Sequence, residues 1–295
     1  MVAGISHPTG TAAIVETPSD SNRDDHLIRM WIHGKSEHTQ RNYRRIVAEF
    51  RAFVSKPLRD VTLGDLQDYA DSLTEKAPGT QAVTLAAVKS LLGFAHKLGY
   101  TPFDVGRALK LPKAQERLGE RILDESSVQA MIHTEPNRRN RAMLRLLYYS
   151  GCRVSELVAL CWRDVQPRDD SGQIVLWGKG SKERTVLLPE SIYAELVALR
   201  GNAGADDPVF RSRKGGRALS TVQVRDIVRK AARRAGIDKP VSPHWLRHAH
   251  CTHSLERGCP IHLVSATVGH SNVATTGRYL HARPSDSSAR YLGGA

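Results

Sequence analysis

The sequence predicts a mainly α (α+β) protein: an N-terminal helical bundle, then a mostly helical second domain with a small β-hairpin. Three observations lead there. Tyr43, Ile46, Val47, Phe50 and Val54 fall at i, i+3, i+4, i+7 and i+11, which is one apolar stripe of a helix. Two short apolar runs, 173–177 and 184–188, flank Gly-Lys-Gly-Ser-Lys-Glu and read as strands of a hairpin with a basic loop. The chain is 295 residues long, enough for two domains, and 108–121 has Pro, Gly and mixed charge without a clean period.

Residues 1–23 are rich in Thr, Ser, Pro, Ala and Gly without an apolar period, so they read as a disordered arm, with order beginning near Asp24. The first domain is expected over 24–107. Pro57 ends the helix carrying the apolar stripe, and Thr62 with Asp65 three residues on starts another. Ala77-Pro78-Gly79 reads as a breaker, Thr80 opens the next helix, and Gly99 closes it. The segment 108–121 is the expected linker, and 122–295 the second domain. There Asp124 caps a helix, another runs from about Arg138 to Ser150 with Gly151 as its stop, and a short one follows from Ser155. After the hairpin, helices are expected at 190–199, 220–235, 243–256, 260–267 and 273–281.

Charge narrows the function. Lys and Arg total 43 against 30 Asp and Glu, a formal net of +13, which points to a polyanionic partner, nucleic acid first. Aromatics make up only 6%, which disfavours base-stacking platforms for single strands. No run of 18 apolar residues is present, so no membrane span is expected. The N-terminus has no basic start followed by an apolar stretch, and the four cysteines form no C-x-x-C pair. They read as reduced thiols of a cytoplasmic protein, associated with the nucleoid if DNA is the partner. Residues 35–59 carry a net +5, and Arg41, Arg44 and Arg45 there are candidate DNA contacts. Residues 211–239 hold ten basic and two acidic residues, and Arg225, Arg229 and Arg233 lie on a predicted helix suited to major-groove entry. The competing reading of both runs is a solvated helix face.

Four clusters could carry chemistry. In Gly151-Cys152-Arg153-Val154-Ser155-Glu156, Arg153 follows a helix-stopping glycine; alone it reads as a surface arginine paired with Glu156 at i+3. The hairpin tip holds Lys179 between Gly178 and Gly180, which permits close backbone approach to a ligand; alone it reads as a solubilising turn. In Pro243-His244-Trp245-Leu246-Arg247-His248, His244 and Arg247 share a helix face, whereas His248 and His250 are expected to point elsewhere. His244 and His248 have the spacing of a helical metal pair. No glutamate sits between them as in H-E-x-x-H, and no cysteine pair completes a zinc set, so packing or surface roles are expected. Last come Val268-Gly269-His270 and Thr275-Thr276-Gly277-Arg278-Tyr279. Tyr279 alone reads as core, but Gly277 beside it suggests a mobile backbone. Arginines for phosphate oxygens, a lysine acid, imidazoles and a nucleophilic tyrosine suit phosphoryl transfer without a metal or other cofactor. No carboxylate cluster suits Mg²⁺.

The strings GCRVSEL (151–157), GKGSKER (178–184), HWLRH (244–248), VGH (268–270) and TTGRYLH (275–281) resemble, in order and spacing, those of the tyrosine recombinases (phage integrases and Xer-type site-specific recombinases). The likeness runs from about 24 to 281; Val268 stands where leucine is more usual, and 1–23 lies outside it. The resemblance implies a C-shaped clamp on a double-stranded recombination site, with Arg153, Lys179, His244, Arg247 and His270 around the scissile phosphate and Tyr279 attacking it. It implies a 3′-phosphotyrosyl intermediate, a four-way junction and a tetramer spanning two DNA sites. It leaves a second recombinase or an accessory protein open as partners, and the target sequence with them. Glu156 would orient the arginines, and His244 would help the tyrosine lose its proton. Lys179 is expected to be the general acid and Lys182 a DNA-backbone contact. The segment 284–295 is expected to dock on a neighbouring protomer. Rival readings are a type IB topoisomerase, a non-catalytic DNA-binding module and, third, a metallohydrolase.

Overall fold

Helix-start chemistry sets most of the architecture in the computed structural model, which describes residues 20–112, 118–178, 183–213 and 215–280. The chain divides into two units, Met1–Glu116 and Arg117–Ala295.

The first unit holds α1 (Asp20–Ile32), α2 (Glu37–Val54), α3 (Leu63–Ser72), α4 (Pro78–Lys97) and the one-turn α5 (Val105–Ala108). The Ser36 hydroxyl accepts from Thr39 N to start α2. Thr62 and Asp65 form the reciprocal capping box expected for α3. Lys56 and the bonds from Thr62 outweigh burial and hold Asp65 down at about 2. The apolar stripe of α2 faces inward, with Ile46, Val47 and Phe50 buried against Leu66, Tyr69, Val88, Leu91 and Leu92. Asp24 is buried and ties three segments together: it sits on α1, accepts from Leu58 N at 3.0 Å and from the Tyr100 hydroxyl at 2.6 Å.

Three boundaries differ from expectation. The described chain is already helical at Asp20, not from Asp24. α2 ends at Ser55, a left-handed C-cap with φ 51°, two residues before Pro57. α4 begins at Pro78 rather than Thr80, because proline is well suited to a first helical turn, where its missing N–H is no loss.

The second unit opens with α6 (Glu125–His133), capped by Asp124, and α7 (Arg138–Ser150), stopped by Gly151 at φ +58°. Next come α8 (Val154–Ala159), the strands β1 (Val165–Arg168), β2 (Ser171–Trp177) and β3 (Glu183–Leu188), and α9 (Glu190–Arg200). α10 (Thr221–Arg234), α11 (Pro243–Glu256), α12 (Ile261–Val268) and α13 (Val273–Gly277) complete the described chain. The sheet is antiparallel in the order β1-β2-β3, with Val165 opposite Ile174 and Leu176 opposite Arg184. β1 is an addition to the expected hairpin; it contains Pro167, which an edge strand tolerates. β2 alternates as a half-buried strand should, with Gly172, Ile174 and Leu176 inward. The Tyr193 ring of α9 lies so close over Gly172 that a Cβ there would come within 2.0 Å of it. α13 is shorter than expected: Gly277 is its last residue, and Arg278 to Leu280 form a turn.

One large core packs α6–α11 against the sheet. A satellite cluster of Cys251, Val264, Val268 and Tyr279 lies between α11, α12 and the final turn. Cys152, Cys161, Cys251 and Cys259 are free thiols. No helix among the described residues is long and apolar enough to cross a membrane.

Candidate active site

The site grows from the C-terminal end of α12. A helix ends with carbonyls that lack partners and carry partial negative charge. Three arginines use the last of them here. Arg184 donates from Nε to Thr267 O at 2.9 Å, Arg247 from Nη2 to Val268 O at 2.7 Å, and Arg153 from Nη2 to Gly269 O at 3.1 Å. Gly269 makes this possible. Its φ of +68° turns the chain, and a Cβ there would lie 3.1 Å from Arg184 Cδ.

Each arginine has a second anchor. Arg247, on α11, also donates from Nη1 to Gly151 O at 2.5 Å, so the stop of α7 and the end of α12 are clamped by one guanidinium. Arg247 is buried; burial and the neighbouring charge of Arg153 lower its pKa. Arg153 and Arg184 meet at Glu156. The Arg153 amide donates to Glu156 Oε2 at 2.7 Å and its Nη1 to Oε1 at 2.9 Å. Arg184 reaches both oxygens, at 2.8 and 2.7 Å. Burial would raise the Glu156 pKa, but the bonds from Arg184 and Arg153 hold it below the ordinary carboxylate value. The i+3 pairing of Arg153 with Glu156 is therefore present and is part of this cluster.

The histidines line the same place. His270 Nδ1 is hydrogen-bonded to Thr276 Oγ1 at 2.8 Å, which fixes the ring. Burial, then Arg247, Arg153 and Arg184, push the His270 pKa down to about 4. His244 stands at the start of α11 with an exposed edge; desolvation of the rest of the ring, then Arg247, Arg225 and Arg153, lower its pKa. The charge of Arg225 thus reaches the site from α10.

Tyr279 is buried, with its ring 6.4 Å from that of His270 and 4° from parallel. Its hydroxyl is 2.8 Å from His248 Nδ1. This corrects one expectation: His248 does not point away, and it is the imidazole bonded to the tyrosine. The reason is the turn after α13, which folds back over α11 one helical turn beyond His244. His250 does turn elsewhere, bonding Tyr148 O at 2.8 Å. Burial, helped by Cys251 and opposed by Arg247, pushes the Tyr279 pKa up to about 12. Burial, His244 and Arg247 push His248 down to about 4.

Lys179 and Lys182 lie outside the described residues, as does 284–295. Arg41, Arg44 and Arg45 are exposed on α2; Arg45 pairs with Glu49, and Arg44 bonds Gln40 at 3.0 Å. Arg225, Arg229 and Arg233 are exposed along one face of α10. Among the described residues no three His, Cys, Asp or Glu side chains are grouped to hold a metal ion. Sequence reasoning missed His248, Thr276 and Arg184. Arg184 was within reach, since it closes the GKGSKER string, but its partner lies 28 residues away.

A helical unit joined to a second unit in which cations, imidazoles and a tyrosine converge defines a class, the DNA strand transferases. Residues 121–286 match the model of the phage integrase family, and 23–94 match the phage integrase N-terminal SAM-like domain. The tyrosine recombinase XerD of Corynebacterium glutamicum is 30% identical over 285 residues, covering 86% of this chain and 93% of that protein. The tyrosine recombinase XerC of Xylella fastidiosa is 36% identical over 264 residues, covering 84% and 87%. A lambda integrase tetramer bound to a Holliday junction has the same fold, with TM-score 0.74 at 16% identity over 89% of this chain and 77% of that one. The chain belongs to the phage integrase family and is a tyrosine recombinase, an enzyme of site-specific recombination that cuts and rejoins DNA.

Proposed function

We propose that Tyr279 attacks a phosphodiester of duplex DNA held by Arg153, Arg247, His244 and His270. The observation that supports this most directly is the convergence of Arg153, Arg247 and His270 with Tyr279 at the end of α12. Tyr279 Oη forms a bond to phosphorus as the bond from phosphorus to the 5′-oxygen breaks. The products are a 3′-phosphotyrosyl ester and a 5′-hydroxyl. The phenol loses its proton as the ester forms, and the departing oxygen takes one from Lys179. A 5′-hydroxyl of a partner duplex reverses the step and leads to a four-way junction. The ester conserves the bond energy, so no nucleotide is consumed. The arginines stabilise charge on the non-bridging oxygens, where losing one donor costs about a hundred- to a thousand-fold in rate.

The protonation states fit DNA as trigger. With a tyrosine pKa of about 12, only about one hydroxyl in 10⁵ is ionised at pH 7. Burial first, and then the neighbouring cations, keep the imidazoles neutral. A phosphate entering among those cations offsets their charge and so removes the electrostatic part of that depression, which makes His244 or His248 a better acceptor for the proton.

The domains 24–107 and 122–295, joined by 108–121, would each contact the duplex. Four protomers would bring two sites together, with 284–295 of each docked on a neighbour. DNA of the nucleoid in the cytoplasm is the setting this predicts.

The test begins with DNA that co-purifies with the chain as a covalent adduct in cells, whose sequencing defines the site. On a nicked duplex carrying that site, Tyr279→Phe should bind but form no adduct that survives SDS. An adduct with the variant overturns the assignment. Chelator should leave the wild-type adduct unchanged. Relaxed circles without a four-way junction would assign topoisomerase chemistry instead.

A further inference from the structure

Glu156 has two cationic partners, and only one of them belongs to the phosphate-binding set. We infer that Arg184 is a positioning residue for cleavage: by occupying Glu156, it leaves the charge of Arg153 free to act on the scissile phosphate. The inference rests on the reading of the site proposed above.

The Glu156 side chain is only 2% exposed. A carboxylate this deep is costly unless it is paired and fully hydrogen-bonded. Arg184 meets most of that need. Both its terminal nitrogens face the two carboxylate oxygens, and Nε is tied to Thr267 O. The fork is thus bidentate on one edge and anchored on the third donor, a geometry lysine cannot reproduce. The Arg184 side chain is 12% exposed, whereas that of Arg153 is 37% exposed. Arg184 is the inner partner; Arg153 is the outer one, with an edge open to solvent.

Without Arg184, Glu156 would keep its charge and have Arg153 as its nearest cation. In a site of low dielectric the carboxylate would draw that guanidinium inward and cancel its field. Arg153 would also be pulled from Gly269 O, its second anchor. The loss would fall on stabilisation of the non-bridging oxygens. DNA affinity, set by many exposed basic residues, would change little. Departure of the 5′-oxygen would keep its own acid.

A different route is available to Arg184, because it sits two residues beyond Lys182 and could act by setting the loop that carries Lys179. The two routes fail at different chemical steps. A bridging 5′-sulfur leaves without needing a proton, so it rescues a missing general acid but not a quenched Arg153.

The experiment uses the full chain and the nicked duplex defined above, made with either oxygen or sulfur at the bridging 5′ position. Arg184→Gln should slow single-turnover adduct formation by about ten- to a hundred-fold, while the DNA concentration for half-saturation moves by less than about three-fold. Sulfur should leave that defect in place. Adding Glu156→Gln should restore part of the rate, because the quenching charge is gone while the amide oxygen can still accept from Arg153. The double variant should also melt higher than the single one, since it buries no underpaired carboxylate. Rescue of Arg184→Gln by sulfur overturns the inference in favour of the loop. A folded double variant as slow as the single one overturns it as well. If Arg184→Gln does not fold, Arg184→Lys carries the test: it keeps the charge, so it should cleave faster than any folded neutral variant that retains Glu156, such as Arg184→Met. Equal rates would count against the role of charge. Failure of the underlying reading looks different, because the wild-type chain would then form no adduct on either duplex.

Discussion

Arg247 and Arg229 carry the same charge and are held in opposite ways. Arg247 is 4% exposed and spends its donors on the main-chain carbonyls of Gly151 and Val268. Arg229 has a side chain 53% exposed and only a 3.5 Å pairing with Asp226. The same contrast separates the whole end of α12 from the outer face of α10. A guanidinium fixed on backbone cannot follow its target, so it acts where charge develops during reaction. A guanidinium on a free stem can follow any phosphate, so it adds affinity with little geometric demand. The fixed set should therefore govern rate, and the free set binding and its salt dependence.

Arg247→Lys offers the strongest way to break that division. Lysine keeps the charge but cannot span two carbonyls 117 residues apart in the chain and still face a phosphate. Adduct formation at saturating DNA should fall by about a hundred- to a thousand-fold. A lysine variant within about three-fold of wild type would show that charge alone suffices there.

Replacing Arg225, Arg229 and Arg233 together by Gln sharpens the other side. The slope of log affinity against log salt should flatten by about 2.7, or 0.9 for each lost phosphate contact. The cleavage rate at saturation should drop far less than for Arg247→Lys. Because Arg225 also acts on His244, a rate effect confined to Arg225→Gln would move that residue to the fixed set. An unchanged salt slope would remove α10 from the DNA surface.

The smallest effect is on stability against pH. His248, His250 and His270 have folded pKa values of about 4, below the ordinary 6.5. Between those values the unfolded chain takes up protons that the folded one refuses, so stability falls as pH drops from 6.5 to 4. Thermal melts of the DNA-free protein should move down by several degrees from pH 7 to pH 5, and bound DNA should reduce the shift. A melting temperature that is flat across that range would mean the imidazoles are not held neutral.

What the sequence disclosed follows a physical rule. Helix limits set by local chemistry were legible: Asp124 before α6, Gly151 after α7, Thr62 with Asp65 at α3. β1 was not, because Val165-Gln-Pro-Arg168 has no alternation and pairs only through its neighbour β2. Within the site, the residue types and their order could be read, since each has a side chain with a distinctive role. His248 could not be placed, because its partner comes 31 residues later and the fold alone decides which way the last turn packs. The gathering of Arg153, Arg184 and Arg247 was equally hidden, because every residue has a carbonyl and none advertises where it will point.

That last fact bears on how the chain tolerates change. At 267 and 268 the arginines read the path of the main chain and not the identity of the side chains. Val268 in place of the more usual leucine is compatible with this, since its carbonyl still meets Arg247 while its side chain fills the small cluster around Cys251 and Tyr279 and lies beside Gly151. Drift at 268 is constrained by packing volume, whereas the Thr267 hydroxyl also donates to Leu263 O at 2.9 Å. Gly269 is different: its backbone is left-handed, and a Cβ there would press on the Arg184 side chain at 3.1 to 3.2 Å. One glycine thus ties three cations to a common fate, so a local error there would mis-aim all of them at once.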